Sequence, residues 1–261
     1  YLAHAALAQP QPQSLVGNLL GDFCKGVAID TLAQPIQAGL ANHRAVDRFT
    51  DSHPLVREAR ACFSTERRRF APVALDVLFD HFLIRHWQQF YATPYLQAKS
   101  ELYLQLATAE PLMPEAMAVV MRKVRQQDWL AAYQQLDGVA MALDRIAQRI
   151  RFANRFGGAG QDIERHYPSL EQAFLSFYPE LQAHVAALDL RQRHLRARGV
   201  LIAGVLGQLD AHTGERVAGQ PGAVEAAGRV AAPHVWCAHH GFRGVDGGAL
   251  ALQPAVQRRA G

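Results

Sequence analysis

The chain has 261 residues, 49% of them hydrophobic and 19% charged, so it can bury a substantial core as one large domain or two small ones. It contains no run of eighteen apolar residues and no basic segment with a cleavage site at its start, so neither a membrane span nor a signal peptide is expected. The three cysteines lie far apart, which argues against a disulfide framework or a structural zinc site and fits a reducing cytoplasm.

The first 190 residues are predicted to be all-α. Apolar residues recur at helical spacing in segments separated by prolines, and no useful alternating β pattern occurs before residue 190. Pro72 suits the first turn of a helix over roughly residues 72–90, which is apolar on nearly all faces and is therefore expected to be central and buried. A later helix is predicted from a single apolar stripe, formed by Leu136, Val139, Leu143, Ile146 and Ile150.

The composition changes near residue 191. Residues 1–190 carry 18 Lys and Arg against 19 Asp and Glu, whereas residues 191–261 carry 9 against 4 and hold 12 of the 20 glycines. We predict a helical domain over residues 1–190 and a basic, Gly/Ala-rich, weakly structured tail over residues 191–261, or a tail that is not native coding sequence. The high isoelectric point comes from this tail and carries little information about the ligand of the main domain.

Polar residues interrupt the apolar helix at VALDVLFDHFLIRHW, residues 73–87. Asp76 and Asp80 are four residues apart and share a face, and His81 lies about 100° around the helix from Asp80. Buried carboxylates are costly unless they are paired, protonated or bound to a metal. The pattern alone fits structural salt bridges as well as it fits a metal or catalytic site.

A second polar stripe lies in LANHRAVDRFTDSHP, residues 40–54. One helical face carries His43, Asp47 and Asp51, and the neighbouring stripe carries Arg44 and Arg48. The spacing alone favours a solvated face with internal Asp–Arg pairs, although a histidine and two aspartates in line also suit a divalent cation.

A third segment, SLVGNLLGDFCKG, places Asp22 after an apolar run. Its glycines lower helix propensity and suggest a close backbone approach or a bend near a site, although an aspartate that ends a helix is at least as good an explanation. Three separate segments thus offer Asp or His from apolar surroundings, and facing helices can direct such residues to one point. The combination favours a buried carboxylate and imidazole site for Mn²⁺ or Mg²⁺.

In chain order, YLAH, GNLLGDF, HRAVDRFTDSHPLVREAR, RRFAPVALDVLFDHFLIRHW and FLSFYPEL resemble the acyl carrier protein phosphodiesterases through most of residues 1–185. The resemblance implies a helical fold related to the HD-type phosphohydrolases. It also implies a manganese-dependent reaction that removes the 4'-phosphopantetheine arm from the serine of acyl carrier protein. The chain contains no His-Asp dipeptide, so the usual ligand scheme of HD enzymes does not transfer directly to these positions.

Under this resemblance the expected cofactor is Mn²⁺, with Mg²⁺ as the alternative. The candidate metal ligands are Asp22, His43, Asp80 and His81. The catalytic candidates are Asp47 and Asp76, as further ligands or proton carriers, and Arg44, as a contact to the phosphoryl group. His4 and His86 are expected to be structural histidines.

An arginine cluster follows the second polar stripe. Between residues 44 and 69 there are seven arginines and four acidic residues. Because acyl carrier proteins are acidic, such a cluster would steer the partner electrostatically, although a solvated helix and loop would have the same composition. The candidate partner-binding residues are Arg57, Arg60, Arg67, Arg68 and Arg69.

Two other functions fit the same residues. One is a metal-dependent hydrolase of a nucleotide or another small phosphodiester, which would need no carrier protein. The other is a helical module that binds an acidic partner without catalysis, which would take up no metal and would be insensitive to a chelator. Nucleic acid is not expected as a partner.

Overall fold

The computed structural model describes the backbone of residues 1–212 and the side chains of residues 1–189. Within this part the chain forms α-helices joined by short loops and four 3₁₀ turns, without a β-strand, so the predicted all-α class is confirmed. The helices are α1 (Leu2–Ala6), α2 (Pro12–Leu20), α3 (Gln34–Ser52), α4 (Pro54–Ala61), α5 (Ala71–Arg85), α6 (Trp87–Phe90), α7 (Tyr95–Ala109), α8 (Glu115–Gln126), α9 (Trp129–Ala132), α10 (Leu136–Arg149) and α11 (Ala159–His212).

Prolines set the starts of four helices. Pro12, Pro35, Pro54 and Pro72 lie at the first or second position of α2, α3, α4 and α5. Proline is favoured there because its fixed φ suits the helix and its missing N–H would have no intrahelical acceptor in the first turn. The prediction that prolines separate the helical segments is thus confirmed at these four positions, but it is wrong for α11, which contains Pro168 and Pro179.

Helix α5 is the central element, as its apolar sequence predicted. Leu78, Phe82 and Leu83 are fully buried, and the helix contacts α1, α4, α10 and α11. The predicted single helix over residues 72–90 is broken at His86, where the backbone leaves the helical conformation before α6. The break turns Trp87 into the core, where its indole N–H donates to the carbonyl of Thr93 at 2.8 Å.

The last helices close the bundle. The predicted apolar stripe of α10 is buried at Val139 and Leu143 and contacts both α5 and α11. Helix α11 also packs on α3 and α4, and its backbone continues to His212, past the predicted boundary near residue 190. The rest of the predicted tail, residues 213–261, lies outside the described residues, so the two-domain division stays a prediction.

Helices α2 and α3 make the most intimate helix contact in the described part of the chain. A Cβ atom on Gly17 would lie 2.2 Å from the carbonyl oxygen of Ile36 and 2.8 Å from the Cα atom of Gly39. Two glycines at the crossing allow the backbones to approach more closely than any side chain would permit. The predicted close approach near Gly17 is confirmed.

Along residues 1–212, no helix combines the length and the apolar character needed to cross a bilayer.

Candidate metal centre

The centre is built on His43, which α3 directs toward the end of α2. Its side chain is only 2% exposed, and its Nδ1 lies 2.7 Å from the backbone carbonyl oxygen of Asn18. A carbonyl oxygen only accepts, so Nδ1 must carry the proton. In the neutral ring, Nε2 therefore presents a lone pair, the form in which imidazole binds metals.

Asp47 lies one turn further along α3 and faces the same point. Its Oδ2 is 2.9 Å from Nε2 of His43, and its Oδ1 is 3.4 Å from Nε2 of His4, which α1 supplies. The two imidazole rings stack with their centroids 4.1 Å apart. Two helices that are distant in sequence thus bring two ring nitrogens and a carboxylate into one group, which we call the His4–His43–Asp47 cluster.

Several buried atoms of this cluster have no hydrogen-bond partner among the described residues. They are Nδ1 of His4, Nε2 of His43 and Oδ2 of Asp47, because the close contact between the last two is not aligned as a hydrogen bond. Buried polar atoms in folded proteins are normally satisfied, and lone pairs that face one another are unfavourable unless a cation lies between them. Two imidazoles and a carboxylate suit first-row transition-metal dications, so the residues fit Mn²⁺ better than Mg²⁺, which prefers oxygen ligands.

Ionisation in the cluster follows from its geometry. Burial favours the neutral acid, but the contacts with His4 and His43 outweigh it and hold the pKa of Asp47 well below its usual range. Burial also opposes charge on His43, yet the adjacent carboxylate of Asp47 raises the pKa of that ring. Burial, together with the charge of His43, lowers the pKa of His4. His43 and Asp47 therefore each favour the charged form of the other when no cation competes for the site.

Two more predicted residues lie near the cluster. Asp22 follows α2, is exposed to solvent, and acts electrostatically on both His43 and Asp76. Surrounding protein atoms and the negative charge of Asp47 raise the pKa of Asp76 well above its usual range, although its side chain is open to solvent. Asp76 is thus a solvent-exposed carboxylate with other negative charges nearby. A cation there would relieve the repulsion between the carboxylates.

The structure does not bring Asp80 and His81 into the cluster. Asp80 is 3% exposed, and its carboxylate accepts hydrogen bonds from backbone nitrogens at the start of α1. His81 donates from Nδ1 to the carbonyl of Tyr133 at 2.7 Å and accepts at Nε2 from the hydroxyl of Tyr167 at 2.8 Å. Both nitrogens of His81 thus have protein partners, as in a structural histidine.

Sequence reasoning missed His4, for which it predicted a structural role. The feature that would have identified it is its position as the sole histidine of the otherwise apolar segment that follows Tyr1 in YLAHAALA. The sequence did predict, from the glycines before Asp22, a close approach or a bend near a site. A Cβ atom on Gly21 would lie 1.8 Å from Nε2 of His43, so the glycine leaves the space that the imidazole occupies.

The arginines divide into two groups. Arg60 pairs with Asp51, and Arg67 bonds the carbonyl of Gly157 and approaches Asp162, so both of these arginines brace the fold. The exposed members of the predicted set are Arg57, Arg68 and Arg69. Arg44 is also exposed, on the outer side of α3 next to His43.

The sequence profile of the acyl carrier protein phosphodiesterase family matches residues 1–181. The chain belongs to this family. It is 39% identical to the acyl carrier protein phosphodiesterase of Serratia proteamaculans over 69% of this chain and 94% of that protein. The protein of the same name from Yersinia enterocolitica is 39% identical over 70% of this chain and 95% of its own length.

No solved structure matches the chain significantly, so the relation to the HD-type phosphohydrolases stays a prediction.

In this member of the acyl carrier protein phosphodiesterase family, Gly21→Ala tests how closely the chain packs around His43. The backbone at Gly21 is already helical, so alanine suits it, but the new methyl group would displace the imidazole. We expect Mn²⁺ affinity, measured by calorimetric titration, to fall roughly 10–100-fold, the usual cost of disturbing the groups around a metal. The matched control is Gly157→Ala, whose new methyl would meet nothing closer than 4.0 Å. Equal Mn²⁺ binding by both variants would contradict the assignment of His43.

Metal binding is expected to depend on pH through His43. Because the pKa of His43 is raised, its proton stabilises the metal-free fold below the ordinary histidine pKa of about 6.5, and this contribution is lost as pH rises through the raised value. A metal must displace that proton, so Mn²⁺ affinity should increase about tenfold per pH unit below the raised pKa and level off above it.

Calorimetric titrations from roughly pH 6 to roughly pH 9 would measure this profile. The control is His53→Gln, because His53 is buried beside Glu180 outside the cluster and its loss should leave the profile unchanged. A flat profile in the unmodified chain would show that His43 gives up no proton to the metal.

Proposed function

We propose that the chain is a metal-dependent phosphodiester hydrolase that releases 4'-phosphopantetheine from the serine of holo acyl carrier protein. The observation that carries the proposal is the buried His4–His43–Asp47 cluster, with its unpartnered donor atoms, inside a chain of the acyl carrier protein phosphodiesterase family. Relatives that bear the name of this activity match most of the same residues, which supports the choice of substrate.

His4, His43 and Asp47 would hold Mn²⁺ or Mg²⁺, with Asp22 and Asp76 close enough to interact electrostatically. The bound cation would neutralise charge on the phosphoryl oxygens and make a nearby water more acidic. Arg44, which is exposed on α3 and adjoins His43 in the sequence, would contact the phosphoryl group from outside the cluster.

The reaction consumes one water. Its oxygen forms a bond to phosphorus, and the bond between phosphorus and the serine oxygen breaks. The serine oxygen takes a proton and leaves as the hydroxyl of apo carrier protein, while the phosphate stays on the pantetheine. Asp76 is the candidate proton donor, because it lies near enough to Asp47 to interact with it electrostatically and is open to the solvent that would reprotonate it. Asp47, held ionised, cannot carry that proton near neutral pH.

Mass spectrometry of holo acyl carrier protein after incubation with the full chain would test the reaction. We expect apo carrier protein and free 4'-phosphopantetheine in the presence of Mn²⁺, and neither product with EDTA. His43→Ala and Asp47→Asn should each reduce turnover at least about 100-fold, because each removes a cluster donor. Asp128→Asn is the control, since Asp128 caps α9 and pairs with Lys99 outside the cluster.

Two other results of these assays would favour the two alternative functions. Turnover of a simple aryl phosphodiester without conversion of the carrier protein would indicate a small-molecule phosphohydrolase. A folded chain that takes up no Mn²⁺ and is insensitive to EDTA would overturn the metal-dependent proposal and favour a non-enzymatic binding module.

The exposed arginines are proposed to steer the acidic carrier protein. Arg57→Glu should lower kcat/KM roughly fivefold at low ionic strength, with the difference shrinking as salt screens the charges. The charge-matched control is Arg85→Glu, because Arg85 is similarly exposed but lies at the end of α5 beside Glu171. If both substitutions had the same effect at every salt concentration, the residues around Arg57 would have no special part in docking.

A further inference from the structure

Helix α1 supplies His4 but is too short to hold its own position. It contains five residues, and helices of this length are not stable in isolation. Its apolar side buries Leu2 next to a small cavity between α1, α7 and α8, so the apolar contact on that side is incomplete. The position of His4 therefore depends on what anchors the two ends of the helix.

One end is anchored from the centre of the bundle. Asp80, on α5, accepts hydrogen bonds from three successive backbone nitrogens of residues 1, 2 and 3, at 2.9, 3.0 and 3.1 Å. The first N–H groups of a helix have no intrahelical acceptor, and a buried carboxylate satisfies them with strong, charge-assisted bonds. At the other end, Asn42 donates to the carbonyl of Leu7 at 3.2 Å.

We infer that Asp80 is a positioning residue that fixes the start of α1 and thereby sets His4 against Asp47. This inference rests on the proposed function in one respect, because it gives His4 the role of a metal ligand. It explains why a helix buried on nearly every side carries an ionisable residue at this point. The role proposed for Asp80 also differs from that of Asp76, four residues earlier, which is exposed to solvent.

The alternative is that Asp80 binds the metal directly. The two roles make different predictions for a double-mutant cycle. If Asp80 acts through His4, Asp80→Asn should lower Mn²⁺ affinity about tenfold in the otherwise unchanged chain but less than about twofold in a His4→Ala background. If Asp80 is a ligand itself, the loss would be similar in both backgrounds, and the inference would be overturned.

A matched control separates positioning from general loss of stability. Asp128 also caps a short helix, with its Oδ1 3.2 Å from the backbone nitrogen of Ala131, and it lies outside the cluster. Asp80→Asn should accelerate amide hydrogen exchange in the peptide that contains α1 in the metal-free protein, whereas Asp128→Asn should not. Unchanged exchange in α1 after Asp80→Asn would overturn the inference.

A chain that binds no Mn²⁺ would count against the proposed function alone. The positioning role of Asp80 can then be tested through the imidazole NMR signals of His4 and His43 in the metal-free protein. Asp80→Asn should shift the His4 signal, because the ring leaves its stacked contact with His43, and Asp128→Asn should leave it in place. An unshifted His4 signal would overturn the positioning role.

Discussion

The buried carboxylate of Asp47 is the constraint around which this part of the molecule is organised. It is 6% exposed, so its charge has lost most of its hydration and must be compensated by neighbouring groups. The compensation comes from two imidazoles, one on its own helix and one on α1. Since α1 and α3 are far apart in sequence, the charge can be buried only after α1, α2, α3 and α5 have all assembled.

Glycines, which have no side chain, make the close packing of these helices possible. Gly17 and Gly39 let the backbones of α2 and α3 touch, and Gly21 leaves room for the ring of His43 one turn further on. The carbonyl of Asn18 then fixes the tautomer of that ring. The same glycine-containing segment thus sets both the distance between two helices and the chemistry available at the cluster.

Charge is distributed unevenly over the domain. Surrounding protein atoms and nearby carboxylates, Asp47 first among them, raise the pKa of Asp76, whereas the exposed arginines lie on the outer surface of α3, α4 and the loop before α5. Arg60 and Arg67 are used within the fold, in contacts with Asp51 and Asp162. The near-neutral charge balance of residues 1–190 therefore averages over an acidic group around Asp47 and a partly basic surface.

The sequence by itself determined the all-α class, the helix starts at prolines, the central position of α5 and the family. These properties depend on local conformational preference, on the spacing of apolar residues and on the order of motifs, all of which can be read directly from the amino-acid sequence. It also indicated His43, Asp47, Asp22 and Asp76 as residues near a site.

Only the tertiary structure decided which polar residues meet. Asp80 and His81 are as prominent in the sequence as Asp76, yet their partners are the backbone of α1 and the groups of Tyr133 and Tyr167. His4 joined the cluster because a distant carboxylate anchors its helix. The reason is physical: a buried polar atom is satisfied by whichever group the packing brings within about 3 Å, and that group need not be near in sequence.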